Sequence, residues 1–127
     1  MTMRPLLLAM LAACTGCATI KTASSFHGVS IEHGDSPIET VEIENSGWLL
    51  FKFIPLGSGN PDLPNRASCR LFRNTVTLQN NIDMLMKEMD RVGATKAATI
   101  ASRKTDETIF IIFLTRHAYH TSAVLLE

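Results

Sequence analysis

Val41-Glu42-Ile43-Glu44-Asn45-Ser46-Gly47-Trp48-Leu49-Leu50-Phe51-Lys52-Phe53-Ile54 is the stretch on which the fold turns. Up to Glu44 it alternates, with Val41 and Ile43 on one face and Glu42 and Glu44 on the other. A period of two is the mark of a half-buried strand. Asn45-Ser46-Gly47 is turn chemistry, because glycine takes positive φ at no steric cost. Trp48 to Ile54 is a second strand, apolar on both faces except at Lys52. The stretch therefore predicts a hairpin turning at Asn45-Ser46-Gly47 and ended by Pro55 and Gly57.

Downstream, Gly57 to Asn65 is dense in Gly, Pro and Asn and reads as loop. Arg66 to Asn74 is ambiguous: Leu71 and Phe72 suit a core, while Arg66, Arg70 and Arg73 suit solvent. The clearest helix runs from about Thr77 to Val92. Leu78, Ile82, Leu85, Met86, Met89 and Val92 trace one helical stripe, with Met84 left on the polar side. Thr75 or Thr77 can cap its start, and Gly93 suits the residue just past its end.

Three strands are expected after the helix. The first spans Lys96 to Ser102, followed by a polar turn at Arg103-Lys104-Thr105-Asp106. The second is Thr108 to Leu114, the most apolar run of the domain and a natural central strand. A break at Arg116-His117 precedes the third, Tyr119 to Leu126. The expected fold is α+β: a small antiparallel sheet in the order β-β-α-β-β-β, with one amphipathic helix packed on one face.

Upstream, residues 18–37 are mostly small and polar, without sustained periodicity, and read as a flexible tether. Ahead of them, Arg4 and the apolar run Leu6 to Met10 lead into Leu11-Ala12-Ala13-Cys14. A cationic start, an apolar stretch and small residues before a cut make a secretory signal. The run is about half the 20 residues a membrane-spanning helix needs. The expected organisation is signal peptide 1–13, tether 14–37 and domain 38–127.

Small residues followed directly by a cysteine resemble the lipobox of bacterial lipoproteins. That resemblance implies acylation of Cys14, which becomes the first residue of the mature chain. Cys17 is the less favoured candidate, since it lacks an aliphatic residue three places upstream. Neither Thr15 nor Ala18 is the Asp that retains such proteins at the inner membrane. The resemblance thus implies an outer-membrane anchor with the domain facing the periplasm. The domain is similar to small uncharacterised bacterial lipoproteins over most of residues 39–126. The likeness rests on Val41 to Phe51, Phe53 to Pro61, Thr75-Val76-Thr77-Leu78-Gln79-Asn80-Asn81 and His120 to Leu125. It implies an envelope lipoprotein domain and brings no catalytic residues with it.

The charge balance narrows the partners. Removal of residues 1–13 takes away only Arg4, leaving 114 residues with one more acidic than basic side chain. There is no basic excess for nucleic acid and no polybasic tract for an anionic membrane. Membrane attachment is therefore expected through the lipid alone. Of the three cysteines, acylation of Cys14 leaves Cys17 and Cys69, which either pair or leave Cys69 as a small buried residue.

Few constellations promise chemistry. His117 and His120 stand three apart, on opposite faces of a strand, so a shared metal is disfavoured. His27 and His33 lie in the tether. Gly57-Ser58-Gly59-Asn60 lacks the Gly-Lys-Ser/Thr of a P-loop. No G-x-S-x-G is present. No cofactor, metal or catalytic residue is expected. The expected function is that of a binding or structural adaptor with an envelope protein partner, and the alternative is a small-ligand carrier or sensor with a cavity between helix and sheet. The candidate partner surface is Trp48, Pro55, Leu56 and Asn60, with Trp48 either exposed or buried.

Overall fold

The computed structural model describes residues 17–24, 36–109 and 113–127. Among these residues, six strands and one helix follow in the order β1 (Ala18–Ala23), β2 (Pro37–Leu50), β3 (Ile54–Gly59), β4 (Cys69–Leu71), α1 (Leu78–Val92), β5 (Lys96–Ile109) and β6 (Leu114–Leu126). All pairings are antiparallel, in the spatial order β4-β3-β2-β6-β5. β1 shares the β3 edge of β2: it covers Thr40 to Asn45, and β3 covers Gly47 to Leu50.

The molecule is largely β, which corrects the expected α+β order β-β-α-β-β-β. The decisive difference lies at Asn45-Ser46-Gly47. β2 passes straight through this triplet, and all three residues are buried. Long-range partners replace the turn. Asn45 Nδ2 donates to the Thr75 carbonyl at 2.6 Å, and Ser46 Oγ accepts from the Cys17 amide at 3.2 Å. Gly47 answers to close approach rather than to positive φ. A Cβ there would lie 2.8 Å from Ser58 Cβ and 2.9 Å from the Gly57 carbonyl oxygen.

The turn falls instead at Phe51-Lys52-Phe53, and β3 takes in Pro55 and Gly57 to Gly59, which had read as loop. Phe51 and Lys52 have φ of 51° and 67°, and the Phe53 amide donates to the Leu50 carbonyl. Two successive left-handed residues match the twist of a hairpin, although glycine or asparagine adopts them more cheaply.

After the helix there are two long strands rather than three. β5 runs through Arg103-Lys104-Thr105-Asp106, and β6 runs through Arg116-His117. β5 is an edge strand, where charged side chains remain in water and discourage edge-to-edge association. Thr99, at φ 53°, marks a bulge where the register shifts between Ala98 and Ala101. Of the apolar run Thr108 to Leu114, expected as a central strand, Thr108 and Ile109 end the edge strand β5 and Leu114 opens β6, while residues 110–112 lie outside the described residues. Ile109 pairs with Leu114 at the far end of the β5–β6 hairpin.

Residues 18–23, placed in the tether by their composition, form β1 and carry the buried Ala18. The flanking residues 14–16 and 25–35 of the expected tether lie outside the described residues, as do the signal 1–13, Cys14, His27 and His33.

α1 stands where its spacing predicts it. Thr77 Oγ1 accepts from the Asn80 amide at the start, and Gly93 closes the end at φ 75°. Its buried face is rotated from the expected stripe. Asn81, Met84, Leu85 and Glu88 are buried, while Leu78 and Met86 are exposed. Two hydrogen bonds set that rotation: Asn81 Nδ2 donates to the Tyr119 carbonyl at 3.0 Å and to Thr121 Oγ1 at 3.1 Å. Met84, without a role in the sequence reading, is a core residue. It packs with Ala18, Val41, Ile43, Leu85, Ala123 and Leu125. Among the described residues, no helix is long and apolar enough to cross a membrane.

Candidate functional site

Along β2 the helix-side residues change character. Val41 and Ile43 are apolar core, and Asn45 is buried and polar. Leu49 is only half-buried, and Phe51 is exposed. The reason is coverage. α1 begins beside Tyr119 and Thr121, and the chain from Arg73 to Thr75 that leads into it bonds to Ser58, Gly59 and Asn45. The two hairpins continue past this cover to Phe51 and Phe113, the distance from Asn45 to Phe51 being about 20 Å at strand rise.

The buried middle is a polar network. Ser58 Oγ donates to the Arg73 carbonyl at 2.7 Å and accepts from the Thr75 amide at 3.1 Å. Thr75 Oγ1 lies 2.7 Å from the same oxygen and donates to the Gly59 carbonyl at 2.6 Å. His117 Nε2 is 2.9 Å from Asn74 Oδ1, which makes Nε2 the protonated nitrogen and leaves Nδ1 buried without a hydrogen bond. Burial pushes the His117 pKa below its ordinary value, outweighing the field of Asp106. These contacts tie the segment before α1 to three strands. Among the described residues, no hydrogen bond joins Ser58 to His117.

The uncovered face of the sheet carries the second feature. β1, β2, β6 and β5 form an open depression of about 600 Å³ on the side away from α1. Its floor alternates in charge. In the strand register Lys21 faces Glu42, and Arg103 faces His120. Arg116 Nη2 bonds Glu44 Oε1 at 2.9 Å, and His120 Nδ1 lies 3.9 Å from Glu44 Oε2. Glu42 and Glu44 do lie on the solvent side, but Glu44 is half-buried by its partners. His117 and His120 point to opposite faces. Among the described residues, no group of three or more potential ligands could hold a metal.

The third feature is the exposed aromatic end. Phe51, Phe53 and Phe113 are 43%, 73% and 53% exposed, and Ile54 is exposed beside them. Phe51 stacks with Phe53 at 6.4 Å between ring centroids and meets Phe113 edge-on at 5.3 Å. Leu71 and Phe72, which could have joined the core, are exposed on the adjoining edge, where the Phe72 amide bonds the Leu56 carbonyl. Six of the ten exposed large hydrophobics among the described residues gather at this end.

The expected partner surface is thereby divided. Trp48, Pro55 and Leu56 are half-buried within the sheet, Trp48 opposite Gly57 and Arg116. Asn60 is buried and organises its own loop. Its Oδ1 accepts from the Asp62 amide and Arg70 Nε, and its Nδ2 donates to Ser68 Oγ. Asp62 in turn pairs with Lys87 and Arg70, and the Lys87 hydrogen bond holds its carboxyl below the usual range. Sequence alone does not single out the phenylalanines at the turn, because Trp48 to Ile54 has the apolar composition of one continuous strand. The signal was Lys52, the single charge in that run, which marks its tip. Cys17 is exposed and Cys69 half-buried on β4, and no disulfide joins them.

Searches against family models, curated proteins and solved structures find no match to this chain.

Proposed function

We propose that this chain is a lipid-anchored envelope protein, acylated at Cys14 or less favourably at Cys17, that serves as a binding or structural adaptor. The domain faces the periplasm, and the outer membrane is the favoured site of anchoring. The observation that carries the adaptor role is the uncovered sheet face. It offers a broad trough walled by four strands, with the charges of Lys21, Glu42 and Arg103 on its floor. A site for a small ligand encloses most of its guest, whereas this trough is open along its length and suits a protein partner of mixed charge. Lys21 and Arg103 would meet acidic groups of that partner, and Glu42 a basic one.

Photo-crosslinking in the native cells tests this. A photoreactive residue at Glu42 or Ser122, exposed neighbours across β2 and β6, should give one discrete protein adduct. The same residue at Lys87, on the outer side of α1, should give none. Equal labelling at all three positions contradicts the adaptor. A small molecule retained by the intact protein in native mass spectrometry favours the carrier.

A further inference from the structure

We infer that the aromatic end formed by Phe51, Phe53 and Phe113 is a second membrane contact, seated in the lipid headgroup region beside the acyl anchor. The inference rests on the lipoprotein reading and adds to it an orientation of the domain.

Chain direction is the first argument. β1 runs antiparallel to β2, with Ala18 beside Asn45 and Ala23 beside Thr40. Followed backwards, the chain therefore travels towards the Phe51 turn. Cys17 reaches the level of Ser46, where its carbonyl accepts from the Ser46 amide at 2.9 Å. From there the aromatic tip is about 17 Å away along the sheet, and the opposite end at Pro37 about 30 Å. Cys14 lies three residues further back, a reach of about 10 Å. The chain ahead of Cys17 thus leaves the described domain heading towards the aromatic end and away from Pro37.

Charge is the second argument. At the turns themselves, among the described residues 49–55, 108–109 and 113–115, Lys52 is the sole charged side chain; Glu107 and Arg116 face each other one pair further back, and Arg70 and Arg73 flank Leu71 and Phe72. An apolar cap with one long cation at its apex is the composition of an interfacial membrane contact. The rings enter the acyl boundary and the ammonium stays among phosphates.

The backbone is the third. Phe51 and Lys52 occupy left-handed φ, which costs a branched or bulky residue free energy that glycine avoids. The turn keeps an aromatic and a cation at its apex despite that cost. The Phe51 amide bond to the Phe113 carbonyl, at 2.8 Å, locks the two hairpin ends side by side as one unit.

The test uses the full chain purified from native membranes and returned to vesicles of phosphatidylethanolamine and phosphatidylglycerol. A photoreactive phenylalanine analogue replaces Phe53 or Phe113, with Met86 on α1, also exposed, as the control. Intact mass of the same samples reads the anchor independently. The account predicts a mass increase of one phospholipid at 53 and 113 and none at 86. An acylated chain that gives no phospholipid adduct at 53 and 113, or gives protein dimers there, overturns this inference and leaves the anchor standing. An unacylated chain that still gives phospholipid adducts overturns the anchor and supports the aromatic contact.

Discussion

Asn81 on α1 donates to Thr121 Oγ1 on β6 across the face between helix and sheet, and the same amide reaches the Tyr119 carbonyl. This pair fixes the rotation of the only helix among the described residues. Asn81→Ala leaves a buried carbonyl and hydroxyl short of a donor, which should destabilise the domain by about 1–3 kcal/mol. Urea unfolding is the check, with the midpoint lowered and the slope unchanged. Asn81→Leu should be no better, since it adds bulk without a donor. A neutral result would mean that the apolar contacts of Met84 and Leu85 set the docking alone.

His117 makes stability depend on pH. Burial holds its folded-state pKa below the ordinary 6.5, so the unfolded chain binds the proton more readily. Stability is then complete above about pH 6.5 and declines as the pH falls towards the folded-state value. His117→Gln should flatten the fall between about pH 7.5 and 5.5, whatever its effect on absolute stability. Thermal melts across that range decide it, and an unchanged slope in the variant would place the dependence on other groups.

Gly59 is a packing glycine. A Cβ there would lie 2.4 Å from the Ala18 nitrogen and 2.5 Å from the Cys17 carbonyl carbon, both backbone. Gly59→Ala must push β1 off the sheet, at a cost of about 1–3 kcal/mol. Hydrogen exchange should show lost protection at residues 18–23 and at their β2 partners Thr40 to Asn45, with α1 less affected.

Phe51 and Lys52 hold the turn in a conformation that Asn-Gly adopts readily. Phe51→Asn with Lys52→Gly should therefore raise stability by about 1–2 kcal/mol, from relief of the left-handed backbone, despite removing two ring contacts. Differential scanning calorimetry gives the answer. If the melting temperature falls, the aromatic contacts stabilise the fold more than the turn strains it.

The helix was legible because its signals are local. Thr77, the apolar spacing and Gly93 lie within one segment, and each acts on its neighbours. The sheet was not legible, because its central residues act on distant ones. Asn45 and Gly47 carry turn chemistry, yet Asn45 serves Thr75, thirty residues away, and Gly47 makes room for Ser58. β1 is short, with Ala18 and Ile20 set among Thr19, Lys21 and Thr22, and its pairing with Thr40 to Asn45 makes it a strand. Arg103 to Asp106 read as a turn because an edge strand and a turn share the same need for solvated charge. The candidate site suffered for the same reason. Once the hairpin was placed at Asn45-Ser46-Gly47, Trp48 stood at its tip, whereas the tip is Phe51-Lys52-Phe53.

The intact mass of the protein extracted from its native membranes tests the central claim most directly. The account predicts a chain that begins at Cys14 and carries a diacylglyceryl group, with or without a third acyl chain. A chain that is unacylated, whether cut elsewhere or not cut at all, would contradict it.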